Sequence, residues 1–199
     1  MRKQDFSNDF IVKNITIGLQ QITSEKIVKK PTDFDGIEQY LMVQDEIYSI
    51  KVKEELLNSV GIDIDEAWKI AMDNLTNNIV YTSLKEVLAE LSGNPSFLFY
   101  DCDITVVSNT KRYKGAAAIL NRGALRAFAE NNKLDRFFII PSSIHECLLV
   151  PYNEDLTLGL VTGFLREINK TMVDDIDVLS NYVYEIKIES DGWRISYGK

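Results

Sequence analysis

Apolar runs with a period of two and apolar runs with a helical period follow one another along this chain without alternating one for one, and that order limits its fold most. A doubly wound parallel sheet needs each strand to be followed by a crossover helix. The order here predicts an α+β fold instead, a mostly antiparallel sheet with helices packed on one face.

Ile15, Ile17 and Leu19 alternate with Thr16 and Gly18 as a half-buried strand does, and Lys29, Lys30 and Pro31 break the pattern. Glu38 to Glu46 and Tyr48 to Val52 read as two strands turning at Asp45-Glu46, and Glu54 to Val60 as a short helix stopped by Gly61. Asp63 with Glu66, and Ser83 with Glu86, have the reciprocal capping spacing that opens a helix. The first helix is expected to bury Ile64, Trp68, Ala71, Met72 and Leu75, and the second Leu84, Val87, Leu88 and Leu91 before Gly93.

Phe97 to Val107 is rich in aromatic and β-branched residues and predicts a strand, with Ser108-Asn109-Thr110 turning it into another over Tyr113 to Leu120. Gly123 to Asn131 predicts a helix with Leu125, Phe128 and Ala129 inward. Phe137 to Ile140 and Glu146 to Val150 read as strands around the segment Ile140 to Glu146, Ile-Pro-Ser-Ser-Ile-His-Glu. A long helix from Asp155 to Asn169 is expected to bury Leu156, Leu160, Phe164, Leu165 and Ile168. Tyr182 to Ile188 and Trp193 to Tyr197 form a hairpin around Asp191-Gly192.

A chain of 199 residues buries enough surface for one core without disulfide staples. The expectation is a single α+β domain over 1–199, with a two-lobe division near 93–97 as the alternative. Cys102 and Cys147 are expected as buried thiols. The start of the chain lacks the continuous apolar core of a leader peptide, and no run approaches about 18 apolar residues, so a cytoplasmic protein outside the membrane is expected.

With 30 Asp and Glu against 22 Lys and Arg, the net charge of −8 disfavours direct nucleic-acid binding and favours another protein as partner. His145 is the chain's one histidine, which removes any zinc site built on two imidazoles of one copy. Ser142, Ser143, His145 and Glu146 are the candidate site residues, either as a hydrolytic group or as a turn whose hydroxyls tie off backbone. In the turn reading, His145 donates to a carbonyl or to Glu146.

Cys147, two residues on, could share a strand face with His145. Asp101 and Asp103 would share a strand face and are weak candidates for holding a metal; no cofactor motif is present. Glu185-Ile186-Lys187, with Asp174, Asp175 or Asp177 upstream, has the acid-x-Lys form found in one nuclease class. It is equally the pattern of a sheet with one wet face.

The runs YKGAAAILNRGALRAFA (113–129), FFIIPSSIHECLLVP (137–151), REINKTMV (166–173) and LSNYVYEI (179–186) resemble an uncharacterised bacterial family, found in gut bacteria and their mobile elements. IKVKEELLNSVGIDIDEAWKIAMDN (50–74) is similar to that family's strand-helix-helix entry; the stretch before Gly36 lies outside the resemblance. The resemblance implies one domain and points to Ser142, Ser143, His145 and Glu146 if a site exists. It brings no activity with it. Without a complete catalytic constellation, the expected role is a non-enzymatic interaction or regulatory protein, in the setting of a mobile-element accessory protein, with a His145 hydrolase or a metal-dependent nuclease as alternatives.

Overall fold

The computed structural model describes residues 7–46, 48–190 and 192–198. Ser7 accepts a hydrogen bond from the Phe10 amide and starts α1 (Asn8–Asn14), which runs directly into β1 (Ile15–Gln21). Then come β2 (Lys29–Pro31), β3 (Ile37–Gln44) and β4 (Ser49–Lys51). β3 is the hub of this first sheet: β1 pairs with it along one side, and β2 and β4 share the other, all antiparallel. Lys29 to Pro31, expected as a break, forms a strand short enough to carry a proline.

α2 (Glu54–Val60) ends where expected, because Gly61 takes the left-handed φ of 71° that an L side chain resists. α3 (Ile64–Thr76) is capped by Asp63 through the Asp65 amide, and it buries Ala67, Ala71 and Leu75. Ile64 is exposed, so the inward stripe is rotated from the expected one towards the alanines that allow close approach to β1.

β5 (Ile79–Ser83), which the periodicity does not reveal, leads into α4 (Leu84–Ser92) through a complete capping box of Ser83 and Glu86. Val87 is the buried residue of α4, while Leu88 and Leu91 face solvent. Asn94 then caps a 3-10 helix at Pro95–Phe99. The expected strand over 97–107 is confined to β6 (Thr105–Asn109), since β5 offers it pairing partners only between Ile79 and Ser83.

The second expected strand is replaced by a buried 3-10 helix at Ala116–Leu120. α5 (Arg122–Asn131), β7 (Arg136–Ile140) and β8 (Cys147–Pro151) follow. After them come α6 (Leu158–Met172), β9 (Tyr184–Glu189) and β10 (Gly192–Tyr197). α6 starts three residues beyond Asp155, with Thr157 as its cap. β9 and β10 pair as expected, although Asp191 of their turn lies outside the described residues, as do residues 1–6 and Ile47.

The class is α+β with antiparallel pairing throughout, but the strands divide into two sheets. The second has the order β10-β9-β7-β8-β6-β5. Alternation along β7 sends Phe137 and Ile139 inward, to a core shared with Ile15, Ile17 and Leu41 of the first sheet, α3 and α5. Phe138 points to the other face, where Val161 and Leu165 of α6 cover it with Val150 and Val183. Helices therefore lie on both faces of the larger sheet, not on one.

Glu38 is the buried charge of the first sheet. Its Oε1 accepts from Gln20 Nε2 (2.7 Å), Thr23 N (3.1 Å), Thr23 Oγ1 (3.0 Å) and Lys29 Nζ (3.0 Å). Burial alone would raise its pKa, but the donors on Gln20, Lys29 and Thr23 outweigh burial and hold it below the ordinary 4.5. A depressed carboxylate stabilises the fold above its unfolded value and loses that contribution as pH falls through its folded value. Glu38→Gln should lower stability in urea unfolding at neutral pH by about 1–3 kcal/mol. The gap between the two proteins should close as the pH falls through and below the carboxylate range.

Candidate functional site

Pro141 to Glu146 connects β7 to β8, and its polar groups are spent largely on backbone. Ser142 Oγ donates to the Glu146 carbonyl at 3.2 Å, and Ser143 Oγ accepts from the His145 amide at 3.0 Å. These are the local hydroxyl-to-backbone bonds that short polar side chains make in turns. The turn in turn supplies acceptors to a neighbour. The Gly115 amide donates to the His145 carbonyl (3.0 Å) and the Ala116 amide to the Ile144 carbonyl (3.3 Å). Ser108 Oγ adds a 2.7 Å bond to the same His145 carbonyl.

These bonds satisfy the leading amides of the buried 3-10 helix, whose Ala116, Ala117, Ala118 and Ile119 are fully enclosed. Gly115 must be small: a Cβ there would stand 2.4 Å from the Asn109 nitrogen and from Ser108 Oγ. The loop feeding it is held by Asn109, whose Oδ1 accepts from the Lys111 and Tyr113 amides and whose Nδ2 donates to the Tyr113 carbonyl. Arg112 and Lys114 both take positive φ in that loop.

The imidazole is engaged at both nitrogens. Nδ1 accepts from the Lys114 amide at 3.1 Å, and Nε2 faces Asp177 Oδ1 at 3.4 Å, with the Tyr113 ring centroid 5.1 Å away. Because Nδ1 accepts, the hydrogen-bond network assigns the proton to Nε2, directed at the carboxylate. The ring's partner is thus Asp177, not Glu146 or a carbonyl as the sequence suggested. Asp177 also takes the Ile144 amide on its main-chain oxygen at 2.8 Å, so one residue of the loop after α6 grips the turn twice.

A hydrolase needs a free imidazole lone pair aimed at a nucleophile. Here the lone pair faces a backbone N–H, and both serine hydroxyls are committed elsewhere. Chemically, the arrangement is suited to clasping three chain segments together.

The remaining candidates do not converge. Asp101 and Asp103 lie on an exposed connection, not on one strand face. Among the described residues no group of three or more His, Cys, Asp or Glu side chains could hold a metal ion. Glu185 is ion-paired to Arg136, whose guanidinium also covers the Tyr152 ring, while Lys187 is exposed. Cys147 opens β8 and is fully buried, and burial, with Glu146 nearby, pushes its thiol pKa well up. Cys102, expected to be buried, is half-buried.

A cleft of about 190 Å³ opens beside β1 and α3 and is lined by Gln44, Asn74 and Asn109 among others. Their amide groups are used on backbone carbonyls of Val12, Ile15 and Tyr113.

What the sequence hid lies on α6. The expected inward stripe was Leu156, Leu160, Phe164, Leu165 and Ile168, yet the helix buries Val161, Thr162, Leu165 and Asn169. Asn169 is drawn in by hydrogen bonds, Nδ2 to the Ser180 carbonyl (2.9 Å) and to Asn181 Oδ1 (3.0 Å). Thr162 packs against Gly198. A polar residue that buries by bonding, as Asn169 does, carries no weight in an apolar pattern, so the pattern pointed to the wrong side. Leu160, Phe164, Ile168 and Met172 are left exposed, Phe164 by 58% and Met172 by 83%.

If the turn is a clasp, His145→Ala leaves the Lys114 amide without its acceptor and should cost about 1–3 kcal/mol in urea unfolding. In the folded protein at pH 8, a maleimide should label Cys102 well before Cys147, and both should react once the chain is unfolded; equal rates when folded would contradict the burial of Cys147.

No curated protein and no solved structure matches the chain. A family of unknown function, DUF5688, matches over residues 21–187, taking in part of the stretch before Gly36 and running through the turn and α6 to β9. With most of its length inside that match, the chain belongs to the DUF5688 family of unknown function.

Proposed function

We propose that this chain is a non-enzymatic protein-interaction domain, working in the cytoplasm as a single folding unit. The observation that carries the reading is the row Leu160, Phe164, Ile168 and Met172, four residues apart on α6 and all exposed, with Ile176, 84% exposed, in the loop that follows the helix. Scattered exposed leucines are ordinary, but a continuous apolar row on one helix marks a surface that another molecule covers. The core shared by the two sheets supports the single unit. Among the described residues no helix is long and apolar enough to cross a membrane.

The committed state of His145 and Glu185 gives the hydrolase and nuclease readings no comparable observation. An accessory role in a mobile element fits an interaction domain of this kind.

The test is capture from the native host with the tagged chain, beside a Phe164→Asp, Ile168→Asp variant of unchanged melting temperature. The reading predicts a defined partner held by the natural chain and lost, by at least about ten-fold, with the variant. Identical capture by both, or none by either, would remove it.

A further inference from the structure

The exposed face of α6 has a shape and a charge that describe its occupant. α6 advances about 1.5 Å and about 100° per residue. Leu160 to Met172 therefore forms a ridge about 18 Å long, and Arg166 and Lys170 fall on the opposite side of the helix from it. Arg166 is also turned inward along the chain, its Nε donating to the Asn181 carbonyl. Thr171 and Glu167 border the ridge, while Asp174 and Asp175 follow its C-terminal end and Glu154 and Asp155 precede the helix. All of these carboxylates are exposed, and none of them is ion-paired among the described residues.

Resting on the interaction reading above, we propose that α6 docks a basic amphipathic helix of a partner protein. The partner's apolar side chains lie along Leu160, Phe164, Ile168 and Met172, and its lysines or arginines face Glu167, Asp174 and Asp175. A helix matches a ridge with four-residue spacing, which runs inclined to the axis of α6 and packs into the grooves of another helix crossing it. A second copy of this chain does not suit the site: a two-fold contact would set the same unpaired carboxylates against themselves. The same carboxylates disfavour an anionic lipid surface.

The experiment uses the full chain and two labelled synthetic helices of about 18 residues with identical leucine positions, one carrying lysine on its polar face and one glutamate. Affinities come from fluorescence anisotropy at two salt concentrations, and the chain's mass is measured by light scattering. The lysine helix should bind at least about ten-fold more tightly than the glutamate helix, and more weakly at higher salt.

Phe164→Ser with Ile168→Ser, which keeps every charge, should weaken it about ten-fold or more, as should Glu167→Lys with Asp174→Lys and Asp175→Lys, which keeps the ridge. Equal binding of both helices, or binding that ignores the serine variant, would overturn the proposal. So would a dimer abolished by the serine variant, which would make a second copy the occupant. Ridge-dependent capture of a natural partner together with failure of the lysine helix would remove this proposal and leave the interaction reading standing.

Discussion

The structure depends on a short wedge of small residues, Ala116 to Ile119, fully enclosed between the two sheets. It touches β1 and α3 on one side and β6 on the other, so the shared core is continuous only if this turn of helix stays in place. A buried 3-10 helix exposes unpaired amides at its start, and in a dry interior each needs an acceptor. The carbonyls of Ile144 and His145 provide them. The Ile-Pro-Ser-Ser-Ile-His-Glu segment is thereby explained: its serines fix the turn, its carbonyls cap the wedge, and its imidazole locks the Lys114 amide on one side and Asp177 on the other.

This arrangement also places the clasp and the exposed apolar row on different parts of the fold. The most distinctive sequence segment lies in the inner framework, whereas the unpartnered apolar surface lies on α6, across the larger sheet. The loop after α6 connects the two, since Asp177 holds the turn while Asp174, Asp175 and Ile176 remain exposed beside the ridge.

Much of the fold was legible where local chemistry acts alone. Gly61 and Gly93 stop their helices with left-handed φ, Ser83 and Glu86 form their capping box, and Leu125, Phe128 and Ala129 turn inward together. The failures share a cause, which is that distant partners decided them. Phe97 to Tyr100 has strand composition but no strand to pair with, and the alanine run became a wedge because Gly115 packs against Ser108 and Asn109. Asp177 stands 32 residues from His145 with no spacing signal to join them. On α6, hydrogen-bonded Asn169 displaced the apolar residues that periodicity would have buried.

Native-state hydrogen exchange at the amides of Lys114, Gly115 and Ala116 tests the clasp most directly. If the turn caps the wedge, these amides exchange in the natural chain only through global unfolding, as slowly as the centre of β7, and in a His145→Ala variant they exchange faster than β7. Fast exchange at these positions in the natural chain, or no difference between the two proteins, would contradict the account.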